Sequence, residues 1–79
     1  MARVLLFGPL RDLAGWRERE VEAASLLGLR GVLAAEDAAL GEALGGPGVQ
    51  TAVDQALVRG DAPLTPGSEV AFLPPMSGG

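Results

Sequence analysis

The sequence predicts an α+β fold, with one small sheet layered on a central helix. Three observations carry that expectation. β-prone apolar runs stand near both ends of the chain, at Ala2–Phe7 (ARVLLF) and Glu69–Leu73 (EVAFL). Between them, Leu26–Leu44 places its apolar residues at helical spacing. The full order reads β, α, β, α, β, a short further β, and β without internal repeat, which suits two packed layers around one core. At 79 residues the chain makes one domain, which by surface scaling buries about 60% of its unfolded surface. With no cysteine for a disulfide and 48% hydrophobic residues, aliphatic packing must hold it together.

Each element has a local reason. Gly8-Pro9 stops the first strand and Pro9 suits the first turn of a helix. Leu10, Leu13 and Ala14 then fall on one face before Gly15 ends that helix. Arg17–Ala23 alternates in charge, with Val21 its one strong apolar residue, as expected of a solvated edge strand. In the middle segment Leu29, Val32, Leu33 and Glu36 share helical spacing. Asp37 can cap a second turn of helix through Leu40, Ala43 and Leu44. Two half-helices and one longer kinked helix both satisfy this pattern. Gly45-Gly46-Pro47-Gly48 breaks it. Val49–Val53 and Ala56–Val58 read as short extended pieces, and Pro66-Gly67 fits the centre of a type II turn. Pro74 ends the last strand, because proline cannot donate to the ladder. That last strand is expected inside the sheet, with its tail projecting beyond the domain.

Alternation along the strands divides the sheet into two faces that are both apolar. Val4 and Leu6 form one face of the first strand, yet Leu5 and Phe7 on the other are also large and apolar. Val70 and Phe72 oppose Ala71 and Leu73 in the same way. With one face packed on the helix, Phe7, Leu57 and Leu73 are left on the other. Such a patch is expected to bind a partner. Fold-back of the tail or a loop, or self-dimerisation, would cover the same residues.

The side-chain chemistry is sparse. The chain has no Cys, His, Tyr or Lys, so most nucleophiles, general bases and metal-ligand sets are missing and no metal site is expected. The net charge is −4, and the cations are all arginines, at positions 3, 11, 17, 19, 30 and 59. They form no basic stripe, which argues against nucleic acid. An acidic surface suits a basic protein partner better. No apolar stretch approaches membrane-spanning length and no signal-peptide pattern stands at the N-terminus. No membrane association and a cytoplasmic location are therefore expected.

What remains is the ending, Pro74-Pro75-Met76-Ser77-Gly78-Gly79. A carboxylate becomes a good electrophile only when activated, most simply by adenylation with ATP, and the activating enzyme must draw it into a narrow site. Gly78 and Gly79 allow close approach of the backbone, and Pro74-Pro75 favours extended polyproline geometry. Extended, the six residues reach roughly 20 Å. The α-carboxylate of Gly79 is thus the candidate reactive group. The structural alternative is an inert, disordered terminus.

Three stretches resemble the small subunit of molybdopterin synthase, a family of ubiquitin-like sulfur carriers. They are Val4–Gly15, with its strand and Arg11-Asp12-Leu13-Ala14-Gly15 helix; Ala52-Val53-Asp54-Gln55 through Pro63-Leu64; and Gly67–Gly79 (GSEVAFLPPMSGG). The resemblance implies a β-grasp fold over residues 1–73, a mixed sheet on a central helix, followed by a flexible Gly-Gly tail, 74–79. It implies that Gly79, next to Gly78, is adenylated by an E1-like activating enzyme that uses ATP, with no cofactor bound to the carrier itself. A sulfur donor, either a sulfurtransferase or a desulfurase, then converts Gly79 to a thiocarboxylate. The tail inserts into the large synthase subunit and donates sulfur to cyclic pyranopterin monophosphate, two carriers loading a heterotetramer. The family's partner-contacting positions fall on Phe7, Arg11, Leu57 and Leu73, with Pro74, Pro75, Met76 and Ser77 following them into the partner. Two departures stand out: Asp54 where the family commonly has Asn, and Leu73 where it commonly has Phe. Residues 24–48 match only loosely.

Three other readings share these features. A sulfur carrier for thiamine or tRNA thiolation also ends in Gly-Gly. A ubiquitin-like modifier would join Gly79 to lysines of other proteins. An interaction module with an inert tail needs no chemistry at all.

Overall fold

The computed structural model describes residues 1–75; Met76, Ser77, Gly78 and Gly79 lie outside the described residues. The elements are β1 (Ala2–Leu6), α1 (Pro9–Ala14), β2 (Glu18–Val21), α2 (Leu26–Glu36), α3 (Ala38–Leu44), β3 (Gln50–Val53), β4 (Ala56–Val58) and β5 (Glu69–Leu73). The strands form one sheet in the order β2-β1-β5-β3-β4. β5 is parallel to β1 and antiparallel to β3, and β2 and β4 are antiparallel edge strands. The last strand therefore lies in the middle of the sheet, as expected. A strand packed on one face needs apolar residues at the alternate positions that face the packed layer. β5 meets that demand, with Val70 and Phe72 fully buried and Ala71 and Leu73 half-buried on the opposite face.

The inward face closes on the helices. Val4 and Leu6 stand beside Val70 and Phe72 in the parallel register, and one buried cluster joins them to leucines of all three helices. In α2 the buried stripe is Leu26, Leu29 and Leu33, three and four residues apart. Val32 and Glu36, which share helical spacing with Leu29, fall outside that stripe: Val32 is at the exposed margin and Glu36 is exposed. Leu13 is likewise 47% exposed. Helix α1 has only six residues, and Leu10 with Ala14, four apart, takes its inward side.

The helical middle is two helices, separated at Asp37. This residue is extended (φ −148°, ψ 98°), so α2 cannot continue through it. Its backbone N–H donates to the Leu33 carbonyl at 2.9 Å, closing α2, and its Oδ1 accepts from the Leu40 N–H at 3.1 Å, opening α3. One side chain thus resolves the choice the sequence leaves open. Gly41 lets α3 lie against α2, because a Cβ there would fall within 2.7 Å of the Ala34 Cα.

The ends of several elements differ from the sequence expectation. β1 stops at Leu6, one residue before Phe7, because Gly8 takes a positive φ of 57° and turns the chain into α1. Arg17, Glu22, Ala23 and Val49 also lie outside the strands predicted to hold them. Pro66-Gly67 is a turn, closed by Ser68 N–H to the Thr65 carbonyl at 3.0 Å. Gly67 lacks the positive φ that type II demands, so the turn is not type II. Asp54 and Gln55 form the two-residue loop between Val53 and Ala56 with φ values of 51° and 72°, the signature of a type I′ hairpin.

Candidate functional site

The outward face is built by the same registers that close the core. Leu5 pairs with Ala71, Ala71 with Ala52, and Ala52 with Leu57, so these four residues form an apolar row across β1, β5, β3 and β4. Leu73 follows in the next row opposite Gln50, and Phe7 stands just beyond the end of β1. Phe7 is 44% exposed and Leu57 62% exposed, while Leu5, Ala71 and Leu73 are half-buried. Ala52, in the middle of the row, is buried, yet among the described residues none of the row belongs to the buried cluster on the sheet's other side. The loops, where described, leave Phe7 and Leu57 open.

Charged residues border the row differently at its two ends. At the β5 start, Arg3 hydrogen-bonds Glu69 and lies 3.7 Å from Glu18. The bond to Glu69, reinforced by the Glu18 charge, raises the Arg3 pKa above its ordinary value. Arg3 and Glu18 are both half-exposed, so the cluster contributes little stability. At the tail end stands a groove of about 240 Å³ lined by Leu5, Leu6, Phe7, Arg11, Arg17 and Glu18. The Leu6 N–H donates to the Arg17 carbonyl at 2.9 Å, which holds that wall in place. Phe7 and Arg11 are thus brought into one groove, although Arg11 itself pairs only loosely with Asp12, at 3.8 Å. Leu57 lies across the sheet, in a depression of about 320 Å³ shared with Gln50, Arg30 and Arg59.

Arg30 anchors that side. Its guanidinium donates to Thr51 Oγ1 at 3.0 Å and stands 5.6 Å from the centre of the Phe72 ring, tying α2 to the sheet beneath the depression.

The tail leaves from this surface. Pro74 is half-buried and Pro75 exposed, so Leu73 is both the last outward residue of β5 and the root of the tail. Met76, Ser77, Gly78 and Gly79, the remaining candidate site residues, lie outside the described residues. Among the described residues no group of three or more Asp, Glu, His or Cys could hold a metal, and no helix is long and apolar enough to cross a membrane. What the described residues offer is a surface for binding and a place from which the terminus departs. Arg17, Arg59, Gly8 and Gly48 belong to this region although the sequence does not single them out. Gly8 and Gly48 are legible as turn residues and the topology brings them beside Pro74 and Pro75, whereas Arg17 and Arg59 line the two depressions.

The apolar outward face runs through β5 to Leu73 at the root of the tail, and comparison with known proteins supplies the class. Residues 4–79 match the ThiS family, and the chain belongs to that family. It is 42% identical to the molybdopterin synthase sulfur carrier subunit of Escherichia coli K12, with all of both chains covered. The small archaeal modifier protein 1 of Methanosarcina acetivorans has the same fold, with a TM-score of 0.87 and 22% identity over 99% of this chain and 95% of that one. The Haloferax volcanii counterpart gives 0.84 and 23% over 99% and 98%. The complex of subunits 1 and 2 of the Helicobacter pylori molybdopterin-converting factor gives 0.73 and 25% over 99% and 97%. The fold is the ubiquitin-like β-grasp, with a mixed five-stranded sheet.

Proposed function

We propose that this chain is the sulfur-carrier subunit of a molybdopterin synthase, with Gly79 as the group that carries sulfur. The observation that carries the reading is the continuity of the outward face with the tail through Leu73. One surface can dock a partner while its edge delivers the terminus. The full-length likeness to a sulfur carrier subunit, and the likeness to a two-subunit complex, support the same assignment.

In this reading the chain contributes binding and delivery, and the catalytic side chains belong to its partners. An E1-like enzyme joins the Gly79 carboxylate to the AMP portion of ATP, with release of pyrophosphate. Persulfide sulfur of the donor then displaces AMP to give an acyl disulfide, and a second thiol cleaves its S–S bond, leaving a thiocarboxylate and releasing the donor as a disulfide. The outward face (Phe7, Leu57 and Leu73, with Arg11 at its rim) docks on the large subunit, and Pro74–Ser77 lead Gly78 and Gly79 inside. There the thiocarboxylate sulfur attacks the pterin precursor and hydrolysis returns the carboxylate, so that two deliveries build one dithiolene. All of these steps are placed in the cytoplasm.

Intact-mass measurement tests the reading. After incubation with an activating enzyme, ATP and a sulfur donor, the mass should rise by the replacement of one oxygen with sulfur. An unchanged mass under conditions that load a known carrier overturns it. A loaded protein that forms no dithiolene with the large subunit and precursor belongs instead to thiamine or tRNA thiolation.

A further inference from the structure

The exit of the tail is walled by glycine on both sides. β5 lies between β1 and β3, parallel to the first and antiparallel to the second. The loop leaving β1 and the loop entering β3 therefore both stand at the end of β5 where the chain departs. Each supplies a glycine with positive φ, Gly8 at 57° and Gly48 at 83°. A Cβ on Gly8 would lie 3.2 Å from Pro74 Cγ. A Cβ on Gly48 would lie 2.7 Å from Pro75 Cβ and 3.6 Å from its Cα. Carbon atoms in comfortable contact stand about 3.5–4.0 Å apart, so the first is tight and the second cannot be accommodated without movement.

Backbone conformation alone does not explain this crowding. Gly15 and Gly60 have φ values of 84° and 71°, yet a Cβ on either would meet nothing within 4 Å. Four described glycines share the positive φ, but of these the lack of room is found at the two beside the tail root. Pro75 also cannot yield as a flexible side chain would. Its Cβ is part of a ring closed onto the backbone, so moving it moves the chain downstream.

We propose that Gly8 and Gly48 are positioning residues that form a guide for the tail, setting the direction in which it leaves the domain. The proposal rests on the sulfur-carrier reading for its consequence: the guide governs how often Gly79 reaches a partner's active site, and leaves docking affinity to the outward face. A side chain at position 48 deflects Pro75 while Leu5, Ala71 and Leu57 stay in place. A misplacement of about 1 Å at a reacting group costs up to about 100-fold in rate.

Four variants separate guidance from strain: Gly48→Ala, Gly48→Asn, the milder Gly8→Ala, and Gly60→Ala as the control. Asparagine tolerates positive φ but still carries a Cβ, so it relieves strain without restoring room. With activating enzyme, ATP and sulfur donor, both position-48 variants should lower kcat for thiocarboxylate formation by about tenfold or more. KM and the large-subunit Kd should hold, Gly8→Ala should fall between, and Gly60→Ala should match wild type. Recovery of kcat in Gly48→Asn, or an equal loss in Gly60→Ala, would mean that strain alone is at work and overturns the guide. A second readout needs no sulfur chemistry. Because the chain has no cysteine, one appended after Gly79 takes a spin label, and paramagnetic broadening of domain amides reports the direction of the tail. That pattern should change in the position-48 variants and not in Gly60→Ala; an unchanged pattern overturns the guide. A changed pattern in a protein whose wild type never gains sulfur keeps the guide and overturns the carrier reading.

Discussion

The two faces of the sheet are apolar at alternate positions of the same strands, but only one is closed. Inward, Val4, Val70 and Phe72 are fully buried beneath α2 and α3. Outward, Leu5, Ala71 and Leu73 are half-buried and Leu57 is largely open. Side chains of similar character therefore do different work one residue apart. Burial in the inward face supplies the free energy of folding, whereas area left open outward can be buried only by a partner. A domain of this size has little stability in reserve, so apolar area left outside its core calls for a reason, and docking supplies one.

Substitution on either face should break that comparison or sharpen it. The largest effect is expected inward. Phe72→Ala removes a side chain with no exposed surface and should cost about 3–5 kcal/mol of stability, read by chemical denaturation. Leu57→Asp, at 62% exposure, should cost less than about 1 kcal/mol yet weaken binding of the large subunit by about tenfold or more. Calorimetric titration alongside denaturation checks both. If Leu57→Asp unfolds the domain as readily as Phe72→Ala, the outward face is core and the distinction fails.

A second pair probes the layer that closes the inward face. Gly41 and Gly31 are both helical glycines, but a Cβ on Gly31 meets nothing within 4 Å, whereas one on Gly41 runs into Ala34. Gly41→Ala should therefore destabilise by about 1–3 kcal/mol through overpacking between α2 and α3. Gly31→Ala should stabilise by about 0.8–1 kcal/mol through helix propensity. Thermal unfolding of the two variants gives the sign directly. A neutral Gly41→Ala would mean that the helices can separate without loosening the core.

Much of this division is legible in the sequence, for identifiable reasons. Alternation in ARVLLF and EVAFL is enough to group Phe7 with Leu5 and Leu73 with Ala71, and helix packing on the other face then leaves them outward. Asp37 is legible as a cap, though not that it also closes α2. The stripe in α2 is harder, since Leu29–Val32–Leu33–Glu36 and Leu26–Leu29–Leu33 are both helical spacings, and contact with the sheet selects between them. The turn at Asp54-Gln55 has no glycine to announce it. It is held from outside, by Asp54 N–H to the Glu69 carbonyl at 2.8 Å and by the Glu69 N–H to Asp54 Oδ1 at 2.9 Å. Arg11 enters through family resemblance, and its meeting with Phe7 in one groove depends on the α1 fold. Gly8 and Gly48 read as ordinary loop glycines because their crowding comes from Pro74 and Pro75, far away in sequence.

The smallest effect lies at the rim of the inward face, where the charged edge strand meets α2. Arg19, beside Val4 in the sheet register, reaches Glu36 at 2.7 Å, and its guanidinium stands 5.1 Å from the centre of the Trp16 ring. The bond from Arg19 holds the Glu36 carboxyl below its ordinary value of 4.5. A carboxylate whose pKa is depressed by folding stabilises the protein above its unfolded pKa and loses that contribution as pH falls through the folded one. Glu36→Gln keeps the shape and removes the charge. Its melting temperature should lie slightly below wild type at pH 7, and the gap should close as the pH falls below 4.5 and the carboxylate takes up its proton. The pair is exposed, so solvent keeps the effect small. A gap that does not narrow at all as the pH falls below 4.5 would show that Glu36 acts through packing instead, making the rim an extension of the closed face rather than its solvated border.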